Sequence, residues 1–145
     1  ELNDRMPKYA VRRLSALMKI HGEDLRNLRV ALLGLAYKPD IADTRKSAAI
    51  EAGYVLQRYA GSVTAYDPYV SDEKLVQPFQ LSKSLESALR SSDAIFIATA
   101  HSEFKKLLTP ALLKKHHIRY VLDGRNILDK AAVEKTGIHY RGIGK

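Results

Sequence analysis

The stretch RVALL at residues 29–33, followed directly by Gly34, is the part of the sequence that decides the fold class. A short apolar run without polar alternation is typical of a strand that is buried on both faces, as in a parallel sheet. Similar runs recur along the chain, at residues 62–66, 94–99 and 120–122, with a candidate edge strand at residues 138–141. The sequence therefore predicts a sheet of buried strands.

Helical patterns lie between these runs, at residues 46–60, 84–90, 110–116 and 130–135. A further helix precedes the first strand; Asn3 or Asp4 can cap it, and His21-Gly22 is expected to end it. Strands that alternate with helices indicate βαβ units with right-handed crossovers. We therefore predict the α/β class, a Rossmann-like parallel sheet with helices on both faces.

The composition is that of one ordinary domain of 145 residues, of which 46% are hydrophobic. The longest apolar run, residues 94–100, is far shorter than the roughly 20 residues that span a bilayer, so we expect no membrane partner. The chain has no cysteine, which excludes disulfides, thiolate metal sites and a cysteine nucleophile in these residues. We assign no metal ligand, and a cytoplasmic location fits this composition.

The net charge of +8 is spread unevenly along the chain. Residues 105–145 contain ten Lys or Arg against three Asp or Glu, a balance of +7. A basic third can face a polyanion, and a basic, non-enzymatic interaction domain is one alternative function. No aromatic residues alternate with these cations in the manner of a nucleic-acid-binding surface, so nucleic acid is not an expected partner.

Ligands of such sheets bind at the carboxyl ends of the strands, which directs attention to the loops that follow them. The first loop, GLAYKPDIADTRKS at residues 34–47, lacks the G-x-G-x-x-G pattern that grips a dinucleotide. It holds two cations, Lys38 and Arg45, near a helix N-terminus that Asp43 or Thr44 can cap. This arrangement can form a diphosphate site; equally, both cations can be merely solvated, with Asp43 only capping the helix.

Two further loops each contain an acidic residue. Asp67 follows the second strand and either holds a ribose or, as we favour, begins a turn with Pro68. His101 and Glu103 follow the third strand and can form an acid–base couple. We favour a structural role for His101, with Ser102 capping the next helix and Glu103 in its first turn.

The fourth loop, DGRN at residues 123–126, places an arginine at a strand end beside a glycine. Asp123 can orient Arg125, whose guanidinium group can bind phosphate or stack on a base. The alternative is an Asp–Arg pair at the surface of a tight turn.

Together these loops resemble a known family. The runs LGLAYKPD, DTR, AYDP, SDA and DGRN, at residues 33–40, 43–45, 65–68, 92–94 and 123–126, resemble the C-terminal domain of the UDP-glucose/GDP-mannose dehydrogenase family in order and spacing. The resemblance covers about residues 30–130. It implies that residues 1–28 end the long central helix that connects the two halves and forms the dimer. Residues 29–145 are then the UDP-sugar-binding domain.

The resemblance implies an enzyme that oxidises a sugar C6 alcohol to a carboxylate in two NAD-dependent steps. In this family the N-terminal Rossmann domain binds NAD, and a cysteine in the preceding portion forms the covalent intermediates. By resemblance Tyr37 and Lys38 contact the UDP-sugar, and Arg45 reaches across the cleft to NAD. Arg125 is expected to contact the substrate from the partner subunit of a homodimer.

The chain also departs from the family pattern. Lys46 and Ala48 stand where members often have Glu and Pro, although neither is one of the expected ligand contacts. Without a cysteine or G-x-G-x-x-G, the chain is expected to bind ligand but to be inactive alone, its partners being the N-terminal NAD-binding and central domains. The run from His101 to Phe104 resembles members that act on UDP-N-acetylhexosamines slightly more than those that act on UDP-glucose. A stand-alone Rossmann-like NAD-binding or regulatory module is the other alternative.

Overall fold

The computed structural model describes residues 6–143, and its six strands pair in parallel into one sheet. The strands are β1 Arg29–Leu33, β2 Ser62–Tyr66, β3 Gln80–Leu81, β4 Ala94–Ile97, β5 Tyr120–Asp123 and β6 His139–Gly142. They lie in the order β3-β2-β1-β4-β5-β6. Every strand pairing is parallel, so the predicted α/β class with a Rossmann-like sheet is confirmed.

The described part of the chain also contains two short 3₁₀ helices, Leu25–Asn27 and Glu73–Leu75, and six α-helices. The α-helices are α1 Met6–Ile20, α2 Ala48–Tyr59, α3 Leu85–Arg90, α4 Ser102–Leu107, α5 Pro110–Lys115 and α6 Lys130–Glu134. Gly22, with φ of 77°, follows the end of α1, as the His21-Gly22 pair predicted. The predicted caps at Asn3 and Asp4 lie outside the described residues. None of the described helices is long and apolar enough to cross a membrane.

Two predicted helix caps are wrong. Ser47, rather than Asp43 or Thr44, caps α2; its hydroxyl accepts a hydrogen bond from the backbone N–H of Ile50 at 3.3 Å. The same hydroxyl donates to the carbonyl of Leu35 at 2.6 Å, so the start of α2 is tied to the loop after β1. Ser102 is the first residue of α4, not its cap.

Helices pack against both faces of the sheet, and each face has its own apolar cluster. Leu32 and Phe96 point into the cluster shared with α1 and α2, which also contains Leu14 and Met18. Their strand neighbours point to the opposite face, where Leu33 meets the cluster of α3, α4 and α5. The predicted packing of helices on both faces of the sheet is therefore confirmed. The described part of the opening helix packs in the same apolar cluster as β1.

Candidate functional site

The loops singled out from the sequence meet at one edge of the sheet. β1, β4 and β5 are adjacent strands, and their carboxyl ends lead into the loop of residues 34–47, the segment 98–101 and the turn of residues 124–129. Neighbouring strands lie about 4.8 Å apart, so the ends of β1 and β5 are separated by about 10 Å. Lys38 and Arg125 are therefore carried by the same edge, from different parts of the chain.

The loop of residues 34–47, called the Lys38 loop below, begins in close contact with the end of β4. Gly34 has φ of 102°, and a Cβ atom there would lie 2.5 Å from Cβ of Thr99. The Thr99 hydroxyl donates to the carbonyl of Ala36 at 2.9 Å. No sequence motif predicted this contact, because its two residues are 63 positions apart in the chain.

Asp67 uses its carboxylate to hold backbone, with only 4% of the residue exposed. It accepts hydrogen bonds from the N–H groups of Leu35 at 2.7 Å, Ala36 at 3.0 Å and Tyr69 at 2.8 Å. Burial alone would raise the pKa of Asp67, but hydrogen bonds from His101, Leu35 and Tyr69 outweigh it and hold the pKa below its ordinary value. The turn interpretation is confirmed, and this buried group is not placed to hold a ribose.

His101 is fully buried and lies against Asp67, with 2.8 Å between Nε2 and Oδ2. Its Nδ1 accepts a hydrogen bond from the backbone N–H of Asp40 at 2.8 Å. Glu103 does not join it, because that carboxylate accepts the Tyr66 hydroxyl at 2.7 Å. The structural interpretation of His101 is thus confirmed over the acid–base couple.

Asp40 forms a second tie between the Lys38 loop and α4. Its carboxylate accepts the N–H of Ser102 at 2.8 Å and the Ser102 hydroxyl at 2.6 Å. Both contacts lower the pKa of Asp40. Asp40 was not among the predicted site residues, since its partners lie 61 and 62 residues away in the chain.

Tyr37 and Lys38 project from this anchored loop. Tyr37 is 43% exposed, and the Lys38 ammonium lies 5.7 Å from the centre of its ring. Within residues 6–143, Lys38 forms no hydrogen bond or ion pair with a protein group. Both side chains are therefore available to a ligand, and an exposed lysine beside an aromatic ring suits a phosphate next to a planar base.

Arg45 lies further along the loop and is paired with Asp43. The two side chains form a forked contact, with Nη2 2.8 Å from Oδ2 and Nε 3.0 Å from Oδ1. This hydrogen bonding lowers the pKa of Asp43 to about 2. The Arg45 side chain is 88% exposed, so Asp43 orients a guanidinium group that faces solvent.

Arg125 is oriented by a backbone carbonyl rather than by Asp123. Its Nε donates to the carbonyl of Ala98 at 3.0 Å, which turns the side chain over the end of β4. Asp123 is fully buried and accepts the N–H of Leu128 and the hydroxyl of Tyr140, each at 2.8 Å. Both predictions for this pair are wrong: Asp123 neither orients the Arg125 guanidinium group nor pairs with it at the surface. The Asp123 carboxylate instead accepts the backbone N–H of Arg125.

Strained backbone is concentrated in these two loops. Positive φ angles occur at four described residues other than glycine, and three of them are Asp40, Lys46 and Asn126. Such conformations persist only where surrounding contacts enforce them, and they are frequent in ligand-binding loops. The strain thus marks the Lys38 loop and the Arg125 turn as the candidate site.

A cavity of about 400 Å³ lies beside this site, at the carboxyl end of β2. Tyr69, Ser82 and Lys83 line it, and neither Lys38 nor Arg125 does. No group of three or more His, Asp or Glu among the described residues is arranged to hold a metal ion. The chemistry at this edge is therefore that of arginine, lysine and exposed aromatic rings.

Several known proteins are similar to this chain. Residues 31–130 match the family model described as "UDP-glucose/GDP-mannose dehydrogenase family, UDP binding domain". The UDP-N-acetyl-D-mannosamine dehydrogenase of Pyrococcus horikoshii is 34% identical over 144 residues, which are 99% of this chain and 32% of that protein. The UDP-glucose 6-dehydrogenase of Rhizobium meliloti is also 34% identical, over 126 residues, which are 86% of this chain and 29% of that protein.

A solved structure shares the fold as well. The NDP-N-acetyl-D-galactosaminuronic acid dehydrogenase of Methanosarcina mazei matches with a TM-score of 0.89 and 28% identity, over 99% of this chain and 30% of that chain. The chain thus spans about a third of the length of the relatives it matches. With the family model covering residues 31–130, the chain belongs to the UDP-glucose/GDP-mannose dehydrogenase family and contains its UDP binding domain.

Proposed function

We propose that the chain is the nucleotide-sugar-binding domain of an NAD-dependent UDP-sugar 6-dehydrogenase, which oxidises a C6 alcohol to a carboxylate. One observation carries the proposal. The unpaired Lys38 and the partly exposed Arg125 are held at one edge of the sheet by loops whose buried groups are satisfied internally. Cations on a preorganised backbone suit a diphosphate, since little ordering is needed on binding.

Individual roles follow from the positions of the side chains. Lys38 and Arg125 bind the diphosphate or the uridine, and Tyr37 offers a half-exposed ring beside them. In the complete enzyme Arg125 contacts the UDP-sugar of the partner subunit of a homodimer, so Lys38 and Arg125 of one chain then serve different UDP-sugars. The opening helix then ends the central helix that connects the two halves, with the UDP-sugar domain starting at residue 29.

NAD is assigned mainly to a domain beyond this chain. The residues present do not form a dinucleotide grip of their own, because residues 34–47 separate β1 from α2 and contain the single glycine Gly34. Asp67, at the strand end where a nicotinamide-binding fold would hold a ribose, is buried and bonded to backbone N–H groups. Arg45 is proposed to contact NAD held by that other domain, since its guanidinium group faces solvent.

We expect the chain to bind UDP more tightly than NAD, and Lys38→Ala to weaken UDP binding by about tenfold or more. Arg125→Ala should weaken UDP binding to the same extent, unless Arg125 contacts only UDP held by a partner subunit and the chain is monomeric. Isothermal calorimetry measures both affinities. Lys38→Ala should leave the melting temperature of the free protein unchanged, because Lys38 has no bonded partner among the described residues.

Two exposed cations away from the site serve as matched controls. Lys135 follows α6 and Arg58 lies in the last turn of α2, so Lys135→Ala and Arg58→Ala should bind UDP like the parent. Tighter binding of NAD than of UDP would support a stand-alone NAD-binding module instead. Parent-like binding by both site variants would contradict the assigned residues even with the fold unchanged.

The chain alone should produce no NADH from NAD and any UDP-sugar, because it has no cysteine to form the covalent intermediates. NADH fluorescence measures this, with the complete P. horikoshii relative assayed in parallel as a positive control. NADH production by the purified chain, free of host dehydrogenase, would contradict the proposal that this chain binds the ligand while other domains carry out the oxidation.

The sugar is proposed to be an N-acetylhexosamine slightly in preference to glucose. His101 does not support this through a direct contact, because its ring is fully buried. The support is that both the P. horikoshii and the M. mazei relatives are named for N-acetylated sugars, while the R. meliloti relative is named for glucose. A cytoplasmic location belongs to the same proposal.

A further inference from the structure

One imidazole ring joins two loops at the candidate site. Nε2 of His101 lies 2.8 Å from the carboxylate of Asp67, at the end of β2. Nδ1 accepts the backbone N–H of Asp40, two residues beyond Lys38, also at 2.8 Å. His101 itself is fully buried; its contact with Asp67 is buried as well, while its contact with the Asp40 backbone is partly buried.

These contacts determine which tautomer the ring adopts. The backbone N–H of Asp40 can only donate, so Nδ1 must be unprotonated in order to accept it. The Asp67 carboxylate already accepts the N–H groups of Leu35 and Ala36, so it faces the ring as an acceptor. Nε2 must therefore carry the proton, and the ring is neutral with Nε2–H donating to Asp67.

The same pair of side chains holds both ends of one short segment. Asp67 binds the N–H groups of Leu35 and Ala36, at its start. His101 binds Asp40, at its end, and rests on Asp67 itself. The exposed residues Tyr37 and Lys38 lie between these two ties. The position of Lys38 is thereby linked to the Asp67–His101 pair.

Other groups pack around the imidazole ring but do not make the hydrogen bonds that its nitrogens make. The rings of Tyr69 and Phe104 lie 5.1 Å and 5.5 Å from it, and the Asp40 carboxylate is 3.9 Å from Nδ1. Asp40 also has a φ of 62°, a strained conformation that needs enforcing contacts. Removal of the imidazole should free the backbone N–H of Asp40 and loosen the loop there, while the bonds from Ser102 to the Asp40 carboxylate should keep α4 in place.

We propose that His101, as the Nε2-protonated tautomer, is the positioning residue that holds Tyr37 and Lys38 in the conformation that binds UDP. The role rests on the proposed function. His101 itself does not touch the ligand; it acts through the backbone of Asp40. It supplies the preorganisation that spares the loop an ordering cost when UDP binds.

Two substitutions separate the effect of the nitrogens' hydrogen bonds from the effect of the packing of the ring. His101→Phe keeps an aromatic ring against Phe104 and removes both hydrogen bonds. His101→Asn can present its amide oxygen where Nδ1 accepts from Asp40, but it is too short to reach Asp67. His116→Phe is the matched control, since His116 is largely buried at the end of α5, outside these loops.

UDP affinity, measured by calorimetry, should fall by about tenfold in His101→Phe and by about threefold in His101→Asn, with His116→Phe like the parent. Hydrogen exchange at the Asp40 amide should speed up in His101→Phe and be largely restored in His101→Asn. Nitrogen-15 spectra of the parent at neutral pH should show His101 as the neutral ring protonated on Nε2.

The possible outcomes are distinguishable. If the parent chain fails to bind UDP, the proposed function fails and the positioning role falls with it. If the parent binds UDP and a folded His101→Phe or His101→Asn variant binds it equally well, only the positioning role is overturned. A ring protonated on Nδ1, or on both nitrogens, in the parent also overturns it, because Asp40 would then have no acceptor.

Discussion

Gly34→Ala should lower the free energy of unfolding by about 2–5 kcal/mol, through two effects that act together. The backbone at Gly34 has φ of 102°, which L side chains rarely adopt. An added Cβ would also lie 2.5–2.6 Å from the Cβ, backbone N and hydroxyl of Thr99, so the ends of β1 and β4 must move apart. Urea unfolding, followed by circular dichroism, measures the change.

Gly137→Ala separates the two effects. Gly137 also has a positive φ, 91°, but a Cβ there would meet nothing within 4 Å. Only backbone strain then remains, so the loss should be about 1–2 kcal/mol. An equal loss in the two variants would show that the close approach of Thr99 contributes nothing, and that φ alone explains the glycine.

UDP binding should respond differently in these two variants. Displacement of Thr99 breaks its bond to Ala36 and moves the start of the Lys38 loop, so Gly34→Ala should bind UDP weakly even under conditions in which it is folded. Gly137 lies between α6 and β6, away from the site, and its variant should bind like the parent.

The sequence predicted the sheet well because buried parallel strands leave a strong local pattern. Four of the five predicted strands begin at the residue where the structure begins them, and β6 begins one residue later than predicted. No sequence pattern predicted β3, since two residues are too few for any periodicity. The sequence pattern placed a helix after His101 but put Ser102 in the wrong role, because α4 has no side-chain cap to mark its start.

The candidate site was predictable in location but not in its internal contacts. Strand ends indicated the right loops, since the carboxyl edge of a parallel sheet follows from topology alone. The partners of Asp67 and Asp123 were not predictable in this way. Asp123 looked paired to its neighbour Arg125, yet its carboxylate binds Tyr140 on β6, 17 residues away. Long-range pairings depend on how the strands are ordered, which short motifs do not record.

Asp67→Ala is expected to have the largest effect on stability, about 3–5 kcal/mol at neutral pH. The buried carboxylate accepts three backbone N–H groups and the imidazole of His101. Removing it leaves four donors without their acceptor. The N–H groups of Leu35 and Ala36 and the imidazole of His101 are buried, and the N–H of Tyr69 is partly buried. Asp72→Ala is the matched control, because Asp72 is exposed and accepts one backbone N–H, from Lys74, so its loss should stay below about 1 kcal/mol.

The pH dependence gives this prediction a second, independent test. Since the folded pKa of Asp67 lies below its ordinary value of 3.8, its ionised form stabilises the fold fully above about pH 4. That stabilisation is lost as pH falls through the lower, folded pKa. The stability difference between the parent and Asp67→Ala should therefore be constant near neutral pH and shrink in acid. Other acids with lowered pKa values, such as Asp43, are present in both proteins and cancel in this difference. A difference that stays flat down to strongly acidic pH would mean that the Asp67 carboxylate is not the ionised acceptor on which the Lys38 loop depends.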